Sequence, residues 1–349
     1  MKEKNMEKIQ ATQELKNEKI KEIQKAGAES LFLAAIRERG IEDASVDVVS
    51  STKAANTLLV NVNGNNVLFK AAANAKKWMG DVPKIIEILS DETKSSSEIF
   101  DALMQTTLQP IELPVRLAKN IKLRPNKDGK VRFFCPGTML AVNYEDVKNL
   151  ELAGMTGIDE NAFFEQYKMK HPLESLIISD SVRRIGEAAF AYCKNLVSVT
   201  IADSVVDIGY RVFEGCESLR SVTLPKNLKK IDGLFSKCES LKSIDIPESV
   251  MEIDSGAFFY CNSLESVTIP EGVTEIGMHT FEHCISMKSI RIPKHVRKIG
   301  PCAFQNSSAL CEFVFDGTVE QWKNMAKCMY WCDGVAAKTV KCNDGDAKI

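Results

Sequence analysis

The side chains with the most chemistry to offer are eleven Cys and four His. Cys328-x3-Cys332 and His279-x3-His283 both have the spacing at which a helix presents two zinc ligands on one face. Each pair is half of a tetrahedral set, and two half-sites far apart in the chain do not make one site, so no metal is expected. No Gly-x-Ser-x-Gly, His-Glu-x-x-His, P-loop or Gly-rich dinucleotide turn occurs, so neither a catalytic residue nor a cofactor is assigned. Arg116, Lys119, Lys122, Arg124, Lys127, Lys130 and Arg132 cluster without interleaved exposed aromatics, which reads as a solvated hairpin rather than a nucleic-acid site. With 45 Lys plus Arg against 47 Asp plus Glu, the chain lacks the surplus of positive charge that nucleic acid or an anionic membrane attracts. No apolar run reaches the ~18 residues that a membrane span needs. Met1 to Ile20 is charged and carries no apolar h-region, so no secretory signal is expected. Together with an odd cysteine count, this favours a reducing, cytoplasmic setting.

The cysteines are in step with other residues. Phe-x-x-Cys-x-x-Leu recurs at Phe190, Cys193 and Leu196, then from Phe213, Phe235 and Phe258, continues with Phe281, Cys284 and Met287, and closes with Phe304, Ser307 and Leu310. This period of 22 to 23 residues is that of a solenoid in the leucine-rich range. Leu-x-x-Val-x-Ile in each unit predicts a very short strand with its last two apolar side chains inward. Pro225, Pro247, Pro270 and Pro293 end four of these strands, because Pro cannot donate to the ladder. Gly186, Gly209, Asp232, Asp254, Gly277 and Gly300 follow and are expected to supply left-handed backbone for a bend. Cys193, Cys216, Cys238, Cys261 and Cys284 would then stack at about 5 Å, the strand spacing. Parallel side-chain vectors do not converge as a disulfide requires, so the column reads as small buried filler.

The signature Cys-x-x-Leu-x-x-Val-x-Ile-Pro-x-x-Val-x-x-Ile-Gly-x-x-Ala-Phe, repeated over residues 150–317, resembles the BspA-like branch of bacterial and protist leucine-rich repeat proteins. The exit Phe315-Asp316-Gly317-Thr318-Val319-Glu320-Gln321-Trp322 is similar to the closing element of that family. Departures are local: one residue is missing around Leu234, Ala202 stands in for Pro, and Ser307 for Cys. The resemblance implies a right-handed solenoid of short parallel strands, about six rungs, and a protein-binding role. Because members are often exported surface proteins, it also implies a surface adhesin as the alternative to a cytoplasmic protein.

Three segments follow. Residues 1–149 carry no repeat and read as an α+β domain, with Met6 to about Arg39 helical and Thr57–Val62 paired with Asn66–Phe69 across Asn63-Gly64. Pro83–Leu89 behind Asp81 and Ser95–Leu108 with Glu98 read as capped helices, and Ile121–Leu123 with Lys130–Phe134 as a second hairpin. Ile158, Ala162 and Phe163 trace an irregular first rung. Residues 150–317 are the solenoid. In 318–349, Thr318 with Gln321 reads as a capping box for a helix carrying Val319, Trp322, Met325, Ala326 and Met329. Charge is uneven: residues 1–149 hold 23 Lys plus Arg against 20 acids, and the remainder 22 against 27.

The solenoid surface provides the candidate partner-binding residues. Thr200, Thr223, Asp245, Thr268 and Arg291 are expected on the exposed strand face, a shallow ribbon suited to an extended protein surface. Two exposed positions per unit share a sign: Asp203 with Asp207, Lys226 with Lys230, Glu248 with Glu252, Glu271 with Glu275, Lys294 with Lys298. Neighbouring rungs of opposite sign can pair, whereas Glu248, Glu252, Glu271 and Glu275 form one like-charged step that calls for a cation or a basic partner. The expectation is a non-catalytic protein-interaction scaffold with no nucleic acid, no membrane insertion and a protein partner. An enzyme or effector in the amino-terminal domain, built on a polar cleft within residues 30–145, is the remaining alternative.

Overall fold

A computed structural model describes residues 27–51, 55–72, 78–111, 123, 124, 126, 130–134, 138, 139, 147–164 and 172–349. Met6 to Lys25, Cys135, Arg116, Lys119, Lys122 and Lys127 lie outside the described residues. The described chain begins with a helix, α1 (27–38), whose Ala28, Phe32, Ala35 and Ile36 form the buried face. Then come β1 (Ala44–Ser51), β2 (Ala55–Val62) and β3 (Asn65–Ala72), paired antiparallel in that order. Asn63 and Gly64 join β2 to β3 with φ of 50° and 81°, the two positive values that a tight type I′ turn demands. Helices α2 (Val82–Ser90) and α3 (Ser96–Met104) complete this end. Ser95 caps α3 reciprocally with Glu98, as its sequence requires. Asp81 makes no cap on α2; its carboxylate instead accepts from the amide and hydroxyl of Thr107, at 2.6 and 2.7 Å. The α3 helix also stops at Met104 rather than Leu108, because the Thr106 hydroxyl binds the Leu103 and Leu108 carbonyls and turns the chain away.

β4 (Lys130–Phe134) overturns the second hairpin. It lies parallel to β3 on one side and to Asn149–Ala153 on the other, so both its edges are filled by parallel neighbours. The cause is its rung-like alternation: Val131 and Phe133 point into the solenoid core. One sheet therefore runs unbroken from the antiparallel β1–β3 through β4 and Asn149–Ala153 to Ser175–Ile178, Ser198–Ile201 and Ser221–Thr223. β2 and β3 are covered on both faces, with Leu59 and Leu68 turned to the solenoid core and Leu58, Val60, Val67 and Phe69 to the helices.

The described stack makes about eight turns, each with a second short parallel strand, such as Asp207–Ile208, Lys230–Asp232 and Glu252–Asp254. Between the two strands the chain turns tightly: Leu228, Val250, Val273 and Val296 donate amides to the carbonyls of Pro225, Pro247, Pro270 and Pro293 at 3.0–3.1 Å. Ala202 substitutes for Pro because the turn uses the carbonyl; it accepts from Val205 at 3.1 Å. The repeat glycines have a different cause from the one expected. Gly209 and Gly300 do not have positive φ; a Cβ there would sit 2.6 and 2.7 Å from backbone atoms of the preceding rung. Close packing of successive rungs, not a left-handed bend, requires them.

Left-handed backbone occurs instead on both sides of the core Phe of each rung from Phe190 to Phe304. Ala188 and Tyr192 flank Phe190, Arg211 and Gly215 flank Phe213, and His279 and His283 flank Phe281, all with φ between 51° and 71°. This corner carries the central column. Phe163, Phe190, Phe213, Phe235, Phe258, Phe281 and Phe304 stack with centroids 4.9–6.1 Å apart and rings within 17° of parallel. Each Phe amide donates to a carbonyl of the next rung, as Phe258 does to Thr280 at 2.9 Å. The carbonyls of Phe163, Phe190, Phe213, Phe235 and Phe258 each receive a thiol from a following rung, as in Cys261 to Phe235 at 3.1 Å and Cys284 to Phe258 at 3.3 Å. Ser307 performs the same service for Phe281 at 2.7 Å. The column cysteines are thus small buried donors as well as filler.

At the far end, α4 (Val319–Asn324) has the Thr318–Gln321 capping box but stops before Met325. Ala326–Lys327 instead pairs with the rung strand Lys298–Ile299, leaving Met329 73% exposed. An open sheet edge offered ladder bonds that a longer helix would have left unmade. A hairpin, Thr339–Cys342 with Gly345–Lys348, finishes the sheet beside Glu312–Phe315. Phe313 and Trp331 meet Phe304 edge-on and end the parallel ring stack.

The thiol donor yields a test. Cys261→Ser keeps the bond to Phe235 and should cost less than about 1 kcal/mol, while Cys261→Ala loses donor and volume and should cost about 2 kcal/mol. Urea unfolding of both variants measures the difference.

Candidate interaction surfaces

Alternation of buried and exposed positions turns Thr200, Thr223, Asp245, Thr268 and Arg291 outward along the first row of strands, one per rung. Thr200 lies beside Thr223 and Thr268 beside Arg291 in register. Arg291 is not a free anchor: it forks onto Asp316 at 2.8 and 2.7 Å, and that carboxylate holds the guanidinium pKa above its ordinary value. The row is therefore hydroxyls and one carboxylate, closed by an ion pair.

Glu248, Glu252, Glu271 and Glu275 are exposed, but the structure does not leave them as one bare patch. Glu252 and Glu275 stand on the second row of strands, and Glu248 and Glu271 on the turns before them. Lys230 reaches Glu252 at 3.5 Å, with Asp232 and Asp254 at 3.2 and 3.5 Å. Partial burial opposes the Lys230 charge, yet these three carboxylates overcome it and raise its pKa. On the other side Lys298 meets Glu275 at 2.8 Å, and His295 lies 3.8 Å from Glu271. Two members of the like-charged step, Glu252 and Glu275, are thus answered by lysines from the flanking rungs. The same arrangement places Lys226 on Asp203 at 3.1 Å and Arg184 near Asp207 at 3.7 Å. Such exposed pairs contribute little energy and chiefly fix register.

What sequence reasoning missed is the aromatic ridge beside the Phe column. Tyr192, Tyr210, Phe259, Tyr260, His279 and His283 are all half-buried there. Tyr260 stacks on His283 at 4.1 Å, and the Arg211 guanidinium sits 4.6 Å over the Tyr210 ring. The signal was present: these residues fall at −3, −2, +1 or +2 from each Phe, places that look like variable solvated positions until the corner is folded. His279 and His283 do not share a helix face, since both have left-handed backbone around Phe281. Cys328 and Cys332 also lie outside a helix. Among the described residues no group of three or more His, Cys, Asp or Glu is arranged to hold a metal.

At the amino-terminal end, Glu42, Asp43, Asn63, Asn65, Glu92 and Arg132 line an open polar cleft of about 720 Å³. Much of its lining is engaged in structure. Asn65 donates to the Leu89 carbonyl at 2.6 Å, Asn63 to Glu92 at 3.3 Å, and Arg132 to Glu151 at 3.1 Å. Beneath them, buried Asn61 and Asn66 both donate to the Arg124 carbonyl, and Asn66 accepts from the Arg124 amide. Arg124 and Arg132 of the basic cluster are thereby paired, with Asp47 and Glu151 respectively.

A stack of parallel β rungs with an inward Leu, Val, Ile and Phe column defines a leucine-rich repeat protein. The chain belongs to the BspA type leucine-rich repeat family, six copies of whose repeat region match residues 156–284 and 232–332. Among solved structures it is similar to the leucine-rich repeat protein TpLRR of T. pallidum, with 27% identity over 54% of this chain and 85% of that one and a TM-score of 0.43. A leucine-rich repeat protein from Bacteroides ovatus has 18% identity, covering 86% of this chain and 76% of that one, with a TM-score of 0.48. The pneumococcal vaccine antigen PcpA has 12% identity, covering 85% and 82%, with a TM-score of 0.40. No curated protein matches the chain. Among the described residues no helix is long and apolar enough to cross a membrane.

Two outcomes follow from the side-chain environments. The Lys226 amide and ammonium hold the Asp203 pKa below its ordinary value; a lowered acid stabilises the fold at neutral pH and loses that effect on acidification. The stability gap between wild type and Asp203→Asn should therefore narrow as pH falls from 6 to 3, measured by urea unfolding at each pH. Burial pushes the Cys238, Cys261 and Cys284 thiols well above their ordinary range, whereas Cys311 is exposed. Alkylation followed by peptide mass spectrometry should label Cys311 in the native protein and the column only after denaturant is added.

Proposed function

We propose that this protein is a non-catalytic protein-interaction scaffold whose partner lies along the first row of strands. The observation that carries the reading is the exposed row Thr200, Thr223, Asp245 and Thr268, small polar side chains repeated at about 5 Å, the strand spacing. Such a ribbon is too shallow to enclose a small molecule and is matched to an extended protein surface. Glu248, Glu252, Glu271 and Glu275 extend the candidate surface over the adjoining turns, with Glu248 drawn into no ion pair among the described residues. A basic or amide-rich segment of the partner would complement them.

We further infer a reducing, cytoplasmic setting, supported by ten described cysteines that are all unbridged, one of them exposed. The family favours the alternative, an exported surface adhesin. The polar cleft near Arg132 supports a second reading in which the amino-terminal region carries an activity of its own and the solenoid targets it.

A pull-down with full-length protein should recover a partner that Thr223→Arg with Thr268→Arg no longer binds, because two long charged side chains break the flat row. Glu248→Lys with Glu271→Lys should weaken the same complex about tenfold or more, as affinity measurement on the recovered partner will show. Unchanged binding by both double variants would sink the proposed surface. Loss of binding only when the Arg132 cleft is altered would support the second reading.

A further inference from the structure

Six residues stand immediately before the second short strand of successive rungs: Arg183, Val206, Lys229, Met251, Thr274 and Arg297, all of them exposed. Backbone bonds hold them in line. Val206 donates to the Arg183 carbonyl at 3.0 Å, Met251 to Lys229 at 2.9 Å and Arg297 to Thr274 at 2.8 Å. Val206 and Lys229 adjoin where one ladder of second strands ends and the next begins. The resulting column carries three cations, two apolar side chains and a threonine, and no carboxylate. Val206 is 60% and Met251 59% exposed, and among the described large hydrophobic side chains only Met329 exceeds them.

The neighbouring column, one residue further along each rung, has a different character. Arg184 lies near Asp207 at 3.7 Å, Lys230 near Glu252 at 3.5 Å and Lys298 near Glu275 at 2.8 Å, so its charges are matched in pairs along the stack. No such match is open to the first column. Lys229 and Arg297 enter no ion pair among the described residues, and the Arg183 guanidinium donates to the Ser204 carbonyl at 3.3 Å. Exposed singly, Val206 or Met251 would need no account. Set in one line between cations that have no internal acid, they form a stripe that only an outside group can complement.

We propose that this column docks an acidic amphipathic helix of a partner protein, on a surface separate from the row of Thr200, Thr223, Asp245 and Thr268. Rungs recur at about 4.8 Å and helical turns at about 5.4 Å, so a helix lying along the stack offers one side chain per rung. Arg183 to Arg297 spans five rung steps, about 24 Å, the length of about sixteen helical residues. An apolar residue on Val206 would be followed one turn later by Asp or Glu on Lys229, and two turns later by a second apolar residue on Met251. That is the i, i+3 or i+4, i+7 pattern of one helix face. Further acids reach Arg183 and Arg297 at the two ends. A flat anionic surface such as a membrane fits less well, because Asp207, Glu252 and Glu275 flank the column with side chains 59–65% exposed. A single stripe of helix rests on the cations and leaves those carboxylates to their own partners.

Fluorescence anisotropy on the full chain tests this with a labelled helical peptide built to that pattern and with an isomer of the same composition in scrambled order. The patterned peptide should bind about tenfold or more tightly than the scrambled one, and more weakly as salt rises. Lys229→Glu with Arg297→Glu should weaken it about tenfold or more, and Val206→Ser with Met251→Ser about three- to tenfold with the salt dependence retained. Thr223→Arg with Thr268→Arg should leave it unchanged, so failure of the first-row surface and failure of this one are read separately. Equal binding of the two peptides, or binding unaffected by the charge reversal, would overturn the proposal. So would binding of the chain to phosphatidylserine vesicles, abolished by the charge reversal, while neither peptide binds; the column would then belong to an anionic membrane. If either double variant fails to fold, the two peptides against the wild-type chain still decide the question.

Discussion

Everything in this solenoid depends on the Phe corner, where a backbone carbonyl must be satisfied at the point where an aromatic ring enters the core. A Phe pointing inward leaves its own peptide group beside the hydrophobic column, out of reach of water. Left unpaired, such a group would cost about 1–3 kcal/mol per rung. The chain solves this twice over, with the Phe amide donating forward and the carbonyl receiving a thiol or hydroxyl from the next rung. The carbonyl also accepts the backbone amide three residues on, at 3.1–3.4 Å, so the thiol or hydroxyl fills its second acceptor site, a use that Cys and Ser offer and an apolar filler of the same size does not. The same corner accounts for the left-handed residues on either side, which turn the chain sharply enough to bring one rung onto the next. Non-glycine residues in that conformation cost about 1 kcal/mol each. The stack tolerates them because stacked rings and cross-rung bonds over-determine the corner.

The ends follow from the same accounting of backbone groups. A solenoid exposes a sheet edge at each terminus, and such edges invite unwanted pairing. Here the amino-terminal edge is continued by β3, β2 and β1, with helices covering the outer face, so the α+β region and the rungs share one sheet. The carboxyl end uses a hairpin and a cluster of edge-on aromatics in place of a long helix. The buried asparagines at the β2–β3 tip belong to this design, since they tie the hairpin to Leu89 and Arg124.

With core and ends occupied by structure, function is left to residues that the fold does not constrain. The strand row is flat and polar, and the charges on the second row of strands are largely matched within the protein. The ridge is where the rungs differ most from one another, because its positions lie outside the core and take Tyr, Arg, His, Lys or Gly in turn. Variation at fixed geometry gives each rung, as at Glu214 and Glu282, a local electrostatic environment of its own.

By itself the sequence determined the period, the inward residues, the exposed strand row, the Asn63-Gly64 hairpin and the capping boxes at Ser95 and Thr318. These depend on local propensity and on a repeat that states the same pattern many times, so one chain carries its own confirmation. It could not determine that Lys130–Phe134 is a rung rather than a hairpin arm, since a strand's neighbours are set by which sheet edge is available. Nor could it show that Gly209 and Gly300 are small because another backbone passes beside them, or that Lys230 and Lys298 answer the glutamate step. Only the tertiary structure decided that His279, Glu282 and His283 share a shielded corner. Their spacing reads as a helix face, and the left-handed turns that bring them together exist only when one rung is packed against the next.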